Sequence, residues 1–292
     1  MSTNRKEFGT FRGVFLPGVL TFFGLVMYLR FAWVLGNSGL GGTLAAVLIS
    51  SLLTLITALS AASIATNSRV GVGGVYYMVS RSFGLETGGA IGLAFYISRT
   101  LSITFYAFGL SESVFLLWPV ETLGSLPSYG VPLLAAAIIL GVSYVATRST
   151  ALLLKAQLPI VLLVAFSLLA VLAGVLSGDF RPIEWQATYR TSPANFWLVF
   201  AVFFPGVTGF LAGISMSGDL KDPMYSIPRG TLASIGVGTL IYLLVPLLLA
   251  VTAKISYEQL ADLDQGLQIW TQIAIPGGLI IYLAAWGAIL SS

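Results

Sequence analysis

The chain has 292 residues, 57% of them hydrophobic and only 9% charged, against about 25% charged in an ordinary soluble domain; its outer surface must therefore face lipid rather than water. It holds no cysteine and no histidine, which excludes disulfides, thiolate metal sites, histidine proton relays and Ser-His-Asp catalysis. The net charge of +3 comes from Lys and Arg in loops, a pattern that orients helices in a bilayer and does not point to nucleic acid.

A crossing helix needs about 20 apolar residues. Such stretches fall at 13–36, 41–66, 88–118, 129–147, 151–176, 195–218, 227–252 and 275–292, which predicts seven complete spans and an eighth cut short. Only a short polar tail precedes span 1. That first stretch is too long for a cleavable signal peptide and runs straight into further spans, so it would itself be the membrane signal.

Between spans 2 and 3, residues 68–88 contain Gly71-Val72-Gly73-Gly74-Val75-Tyr76-Tyr77. A phosphate-binding loop would need a Lys-Ser/Thr ending and a strand–helix setting, both missing here. The segment is expected to form an amphipathic re-entrant or interfacial helix.

The loops alternate in charge. One side carries Arg5, Lys6, Arg12, Arg69, Arg81, Arg148, Lys155, Lys221 and Arg229. The other carries Arg181, Arg190 and Lys254, beside Glu121, Asp179, Glu184, Glu258, Asp262 and Asp264. Nine against three places the N-terminus in the cytoplasm, with odd spans leading outward and even spans returning.

Two spans break the helical pattern at comparable places. Span 1 carries Pro17-Gly18-Val19-Leu20-Thr21-Phe22-Phe23-Gly24, and span 6 carries Phe204-Pro205-Gly206-Val207-Thr208-Gly209-Phe210-Leu211-Ala212-Gly213. They lie five spans apart and cross in opposite directions. Gly and Pro in membrane helices often serve only kinks or close packing. Two interruptions in register across inverted halves, however, are the sequence sign of a transporter binding site. Irregular backbone survives in lipid only where it lines a site; freed carbonyls hold cations and freed amides hold anions.

Polar groups at membrane depth are few. Tyr106 in the middle of span 3 and Thr208 in the break of span 6 could offer hydroxyl oxygens to a dehydrated monovalent cation. Singly, a packed tyrosine and a back-bonded threonine are the preferred readings. Arg30 lies about 13 Å outward of the break and Glu112 about 9 Å outward of Tyr106, at 1.5 Å per residue. An ion pair closing the outer vestibule is expected, with independent snorkelling as the alternative. Arg99, two turns inward of Tyr106, either attracts anions in the inner pathway or pairs with an acid elsewhere; the sequence prefers neither. Ser291 and Ser292 in span 8 are ordinary packing residues on their own.

Several stretches together resemble the cation–chloride cotransporters of the amino acid–polyamine–organocation superfamily. They are residues 20–30 (Leu-Thr-Phe-Phe-Gly-Leu-Val-Met-Tyr-Leu-Arg), Ala65-Thr66-Asn67, Gly73-Gly74-Val75-Tyr76-Tyr77 and Ser80-Arg81-Ser82-Phe83-Gly84. Above all they include Phe203-Phe204-Pro205-Gly206-Val207-Thr208-Gly209, Ser217-Gly218-Asp219-Leu220-Lys221-Asp222-Pro223 and Ile227-Pro228-Arg229-Gly230-Thr231. The resemblance runs from about Gly9 to Ser292. It implies an all-α integral membrane protein with the five-plus-five inverted-repeat, LeuT-like fold, truncated in span 8. Residues 1–176 would form the first repeat (spans 1–5) and residues 177–292 an incomplete second one.

The resemblance also implies site residues. A potassium site would take the carbonyls of Thr21, Phe22 and Pro205 with the hydroxyls of Tyr106 and Thr208. A sodium site would take the carbonyls of Leu20, Phe23 and Ala288 with the hydroxyls of Ser291 and Ser292. One chloride would rest on the amides of Gly24, Leu25 and Val26, another on those of Gly209, Phe210 and Leu211. Arg30 and Glu112 match the family's outer gate.

Some positions depart from the family pattern. Thr21 stands where Asn is usual, Phe22 where Ile is common, Phe23 where Trp is common in sodium-coupled members, and Arg99 where a neutral residue is usual. The paired serines of span 8, missing from potassium–chloride members, favour sodium coupling.

The expected function is therefore symport of Na+ and/or K+ with chloride by alternating access, without a cofactor beyond the transported ions. The protein would lie in the plasma membrane, be a homodimer in full-length form, and need further spans and a cytoplasmic domain to transport. An amino-acid or polyamine permease of the same superfamily is the alternative, although residues 21–24 lack its Gly-small-Gly signature. A membrane-embedded enzyme has too few acid–base groups at depth.

Overall fold

The computed structural model describes residues 8–67, 73–117, 128–148, 150–275 and 277–292. Arg5, Lys6, Arg69, Gly71, Val72 and Glu121, used in the charge and loop readings, lie outside the described residues. Within them the chain is helical, with two isolated bridges and no named strand. Six helical stretches are long and apolar enough to cross a membrane, and Gly278–Ser291 is a shorter apolar helix.

The first stretch, Phe11–Asn67, takes in the predicted spans 1 and 2. It opens with a π turn, Phe11–Phe15, and continues as an α-helix, Leu16–Phe22. Pro17 sits in the first turn of that α-helix, where its missing N–H costs least. The helix stops at Phe23 (φ −92°, ψ 19°), bends at Gly24 and resumes through a second π turn, Val26–Arg30, into Phe31–Asn67. The predicted loop between spans 1 and 2 is a single-residue break at Gly39 (φ 66°, ψ 179°). Only glycine adopts that conformation freely. The amides left over are bonded, Leu40 to the Glu184 carbonyl and Gly41 to the Trp185 carbonyl, both at 3.0 Å.

The expected helix between spans 2 and 3 is Val75–Phe83. Spans 3, 4 and 5 are Leu85–Phe115, Gly130–Arg148 and Thr150–Leu176. Span 6 starts at Phe196, where the Asn195 side chain caps the Trp197 amide, and span 7 is Pro223–Val251. Two short helices in the segment before span 8, Tyr257–Leu260 and Gly266–Ile273, went unpredicted. The first is only four residues long, too short to show periodicity. The second packs Trp270 out of solvent.

Small residues set the helix packing, as expected where lipid supplies no hydrophobic drive between helices. A Cβ on Gly230 would meet Val14, one on Gly18 would meet Ser234, and one on Gly238 would meet the Phe22 ring. The contacts advance by one helical turn on both partners, so spans 1 and 7 run parallel. Spans 5 and 8 run antiparallel: Gly287 lies against Ile160, while the Ile275 amide donates to the Ala170 carbonyl at 3.1 Å. Both directions match an alternation of crossings.

The loops sort onto two faces. On one, Phe8 bridges Leu220, and Gly74 abuts Ile214 and Ser215. On the other, Phe180 bridges Thr252. Arg181 there gives its three guanidinium nitrogens to the carbonyls of Leu249, Ala250 and Ile255 and stacks on Tyr257. It thereby satisfies carbonyls at the end of span 7 that have no helical partner. The Tyr189 hydroxyl donates to the Gly36 carbonyl, and the Asn37 side chain donates to the Ala261 carbonyl. The long loop 177–195 and the loop after span 7 are thus clasped over the top of span 1.

Candidate functional site: two interrupted helices in contact

The interruptions of spans 1 and 6 face each other. A Cβ on Gly209 would fall 2.5 Å from the Thr21 Cβ, and one on Gly206 would fall 3.0 Å from the Val26 Cβ. The first distance is too short for any side chain and the second is tight, so glycine is what lets the two backbones approach so closely. Span 6 differs from expectation in one respect. It does not unwind but tightens, from α (Phe196–Phe203) to 3₁₀ (Phe204–Phe210) and back to α (Leu211–Ser215). A 3₁₀ turn lets Pro205 and two glycines pass with their hydrogen bonds re-paired rather than lost.

The carbonyls around the two breaks carry hydroxyl groups. The single Ser292 hydroxyl proton has two carbonyls in reach, Leu20 at 3.2 Å and Ala288 at 2.7 Å, and Ser291 donates to Ala288 at 3.0 Å. Tyr242 donates to Phe22, Thr208 to Pro205 at 2.8 Å, and Thr54 to Val207 at 3.3 Å. A hydroxyl is donor and acceptor at once. Rotating it away from a carbonyl leaves two oxygens pointing at one spot, the arrangement a dehydrated monovalent cation needs.

Among the sequence-predicted residues, Leu20, Ala288, Ser291 and Ser292 are brought together by these bonds, and Phe23 is the residue where span 1 stops. A Cβ on Gly24 would meet the Ser292 hydroxyl at 2.6 Å, so Ser292 of span 8 rests directly on the bend. Thr21 lies at the contact between the two breaks, against Gly209, Phe22 follows it in span 1, and Pro205 and Thr208 lie in the 3₁₀ turn of span 6. The Thr21 hydroxyl turns back to Pro17 at 2.7 Å. Thr208 is likewise back-bonded to Pro205 within its own 3₁₀ turn. Tyr106, on span 3, lines a cavity that Ser292 also lines.

Gly24, Leu25 and Val26 are buried where span 1 resumes, and there the helix dipole presents its positive end. Gly209 and Phe210 are buried at the close of the 3₁₀ turn, and the Leu211 amide already donates to the Gly209 carbonyl. Arg30 and Glu112 form the expected ion pair at 3.3 Å, and Arg30 also reaches the Leu263 carbonyl at 3.4 Å. The pair is partly open to solvent, at 23% and 51% side-chain exposure, so its Coulomb energy is small, about 0.2–1 kcal/mol. It can open readily.

Sequence reading missed Tyr242 and Thr54, which hold the carbonyls of Phe22 and Val207. Their signal was present but faint: both are polar groups inside long apolar stretches.

The amino acid permease family matches residues 13–288 of the chain. The chain is 35% identical to "Solute carrier family 12 member 2" of Homo sapiens over 81% of its own length and 21% of that protein's. It is 34% identical to "Solute carrier family 12 member 1" of Homo sapiens over 81% and 23%, and 33% identical to "Solute carrier family 12 member 9" of Homo sapiens over 98% and 36%. The chain therefore spans between about a fifth and about a third of the length of these curated relatives, all named as solute carriers.

Proposed function

This chain belongs to the amino acid permease family, as a relative of its cation–chloride cotransporters, and we propose that it forms part of a symporter moving Na+ and/or K+ with chloride by alternating access. The observation that carries the proposal is the meeting of the Ser292 hydroxyl with the Leu20 carbonyl, beside the bend at Gly24. It supports a sodium site on Leu20, Phe23, Ala288, Ser291 and Ser292. The facing breaks support a potassium site on Thr21, Phe22, Pro205 and Thr208, which Tyr106 would complete from span 3. The amides of residues 24–26 and 209–211 would take chloride. Cations held on carbonyls a few ångströms away would then strengthen anion binding, and the reverse.

In this proposal residues 1–176 and 177–292 act as inverted repeats, and the N-terminus lies in the cytoplasm beneath the plasma membrane. The full-length protein is a homodimer. Arg30 and Glu112 close the outer vestibule.

The amino-acid permease alternative needs room at the span 1 break for a substrate carboxylate and its side chain. Phe22 and Phe23 are buried there, and the Phe22 ring packs on Gly238, which favours bare ions. The test is uptake by the full-length gene product in vesicles. Rubidium uptake that rises with chloride and with sodium supports the proposal. Uptake of labelled amino acids in place of rubidium would give the site to the alternative.

A further inference from the structure

Span 7 touches span 1 along a single ridge. Gly230 lies against Val14, Ser234 against Gly18 and Gly238 against the Phe22 ring, each pair one helical turn beyond the last. The next residue of that row is Tyr242, whose hydroxyl donates to the Phe22 carbonyl. Span 7 therefore holds Phe22 twice, by its ring and by its backbone oxygen. The same hydroxyl faces span 6, for a Cβ on Gly206 would fall 3.0 Å from it. A side chain of a third span is thus set between the two interruptions.

The ring cannot swing. It is fully buried, and Phe31 and Phe203 meet it edge-on with centroids 5.1 and 5.0 Å away. Only the proton is free to turn, and conjugation of the C–O bond with the ring keeps it near the ring plane. Among the described residues Tyr242 makes no hydrogen bond other than that to Phe22. Turning the proton away from Phe22 leaves a buried donor unpaired, which is costly. Leaving it in place draws on the same oxygen that would face a cation. By either route, a cation on the Phe22 carbonyl works against this hydroxyl. We infer that Tyr242 is a positioning residue of the cation site: it aims the Phe22 carbonyl and keeps the grip on K+ low enough for release in every cycle. The inference rests on the proposed potassium site at Phe22 and deepens it. A site that fills and empties at each turnover is slowed by tight binding as well as by weak binding.

The test is rubidium uptake by the full-length protein in vesicles, with Tyr242→Phe, which keeps the ring and removes the donor. The rubidium concentration at half-maximal uptake should fall by about three- to tenfold, the strength of one buried hydrogen bond. The maximal rate should fall with it, as release becomes limiting. A merely structural bond predicts the opposite: a half-saturation that rises or stays the same, and either result overturns the inference. Ring-fluorinated tyrosine at position 242, a stronger donor of nearly the same shape, should raise the half-saturation. It decides the matter even if the phenylalanine variant does not fold, since an unchanged or lower value there also overturns the inference. Thr208→Ala, measured alongside, separates two kinds of failure. If it weakens rubidium uptake while Tyr242→Phe does not tighten it, the role of Tyr242 falls alone. If neither variant moves the half-saturation, the potassium site at Phe22 falls with it.

Discussion

The Ser292 hydroxyl donates to the carbonyl oxygen of Leu20, 272 positions away, at 3.2 Å. One hydrogen bond thus joins span 8 to the turn where span 1 stops. The same hydroxyl reaches Ala288, so two carbonyls and one side-chain oxygen already point at a common place. Ser292→Ala removes the oxygen and leaves the helices intact. The apparent affinity for sodium in rubidium uptake should fall by about tenfold, equivalent to about 1.4 kcal/mol. The affinity for rubidium should change much less. Equal loss for both ions would remove Ser292 from the sodium assignment.

Gly209 and Gly236 make a matched pair of tests. A methyl group at Gly209 collides with Thr21, whereas one at Gly236 meets nothing within 4 Å. Gly209→Ala should destabilise the protein by about 1–3 kcal/mol through overpacking and abolish uptake by prising the breaks apart. Gly236→Ala lies within span 7 and should be neutral or slightly stabilising. Thermal unfolding in detergent and uptake, measured side by side, check both.

The Arg30–Glu112 pair should matter to gating and little to stability. Glu112→Gln should leave the unfolding temperature nearly unchanged, given the small worth of exposed pairs. It should also open the outer vestibule. The chain has no cysteine, so a single cysteine placed at Leu29, beside the pair in the same pocket, reports access cleanly. Its labelling from that face should accelerate in Glu112→Gln and slow again in the exchanged pair Arg30→Glu/Glu112→Arg.

The loop clasp supplies a pH dependence. Burial pushes the Tyr189 phenol up to about 12 from an ordinary value near 10. The folded protein thus holds that proton more tightly than the unfolded chain does. The stability contributed by the clasp is complete below about pH 10 and is lost as pH rises through about 12. Unfolding temperatures should fall across that window in the unaltered protein, and Tyr189→Phe should flatten the fall. The neighbouring Arg181 guanidinium is pushed down from its ordinary value by burial, offset by the rings and carboxylate around it.

Much of the fold was legible because lipid imposes simple rules. Apolar length marked the spans, and Gly24, Pro205 and Gly209 marked the interruptions, whereas the helix runs on through Pro17. The depth count brought Arg30 to Glu112, since rise per residue alone fixes level along parallel helices. Other features left no periodic trace. The π turns at Phe11–Phe15 and Val26–Arg30 and the 3₁₀ form of the span 6 break depend on how neighbouring helices re-pair the backbone. Tyr242 was overlooked for a related reason: a lone hydroxyl in an apolar helix reads as packing until the carbonyl it meets is known.

The most direct test places the ions themselves. Crystals of the full-length protein grown in rubidium bromide should show anomalous scattering between the two breaks. Rubidium is expected against the carbonyls of Thr21, Phe22 and Pro205, and bromide at the amides of residues 24–26 or 209–211. If the Thr208 and Tyr242 hydroxyls stayed on those carbonyls while both ions bound elsewhere, the two interrupted helices would be a packing device and the symport account would be wrong.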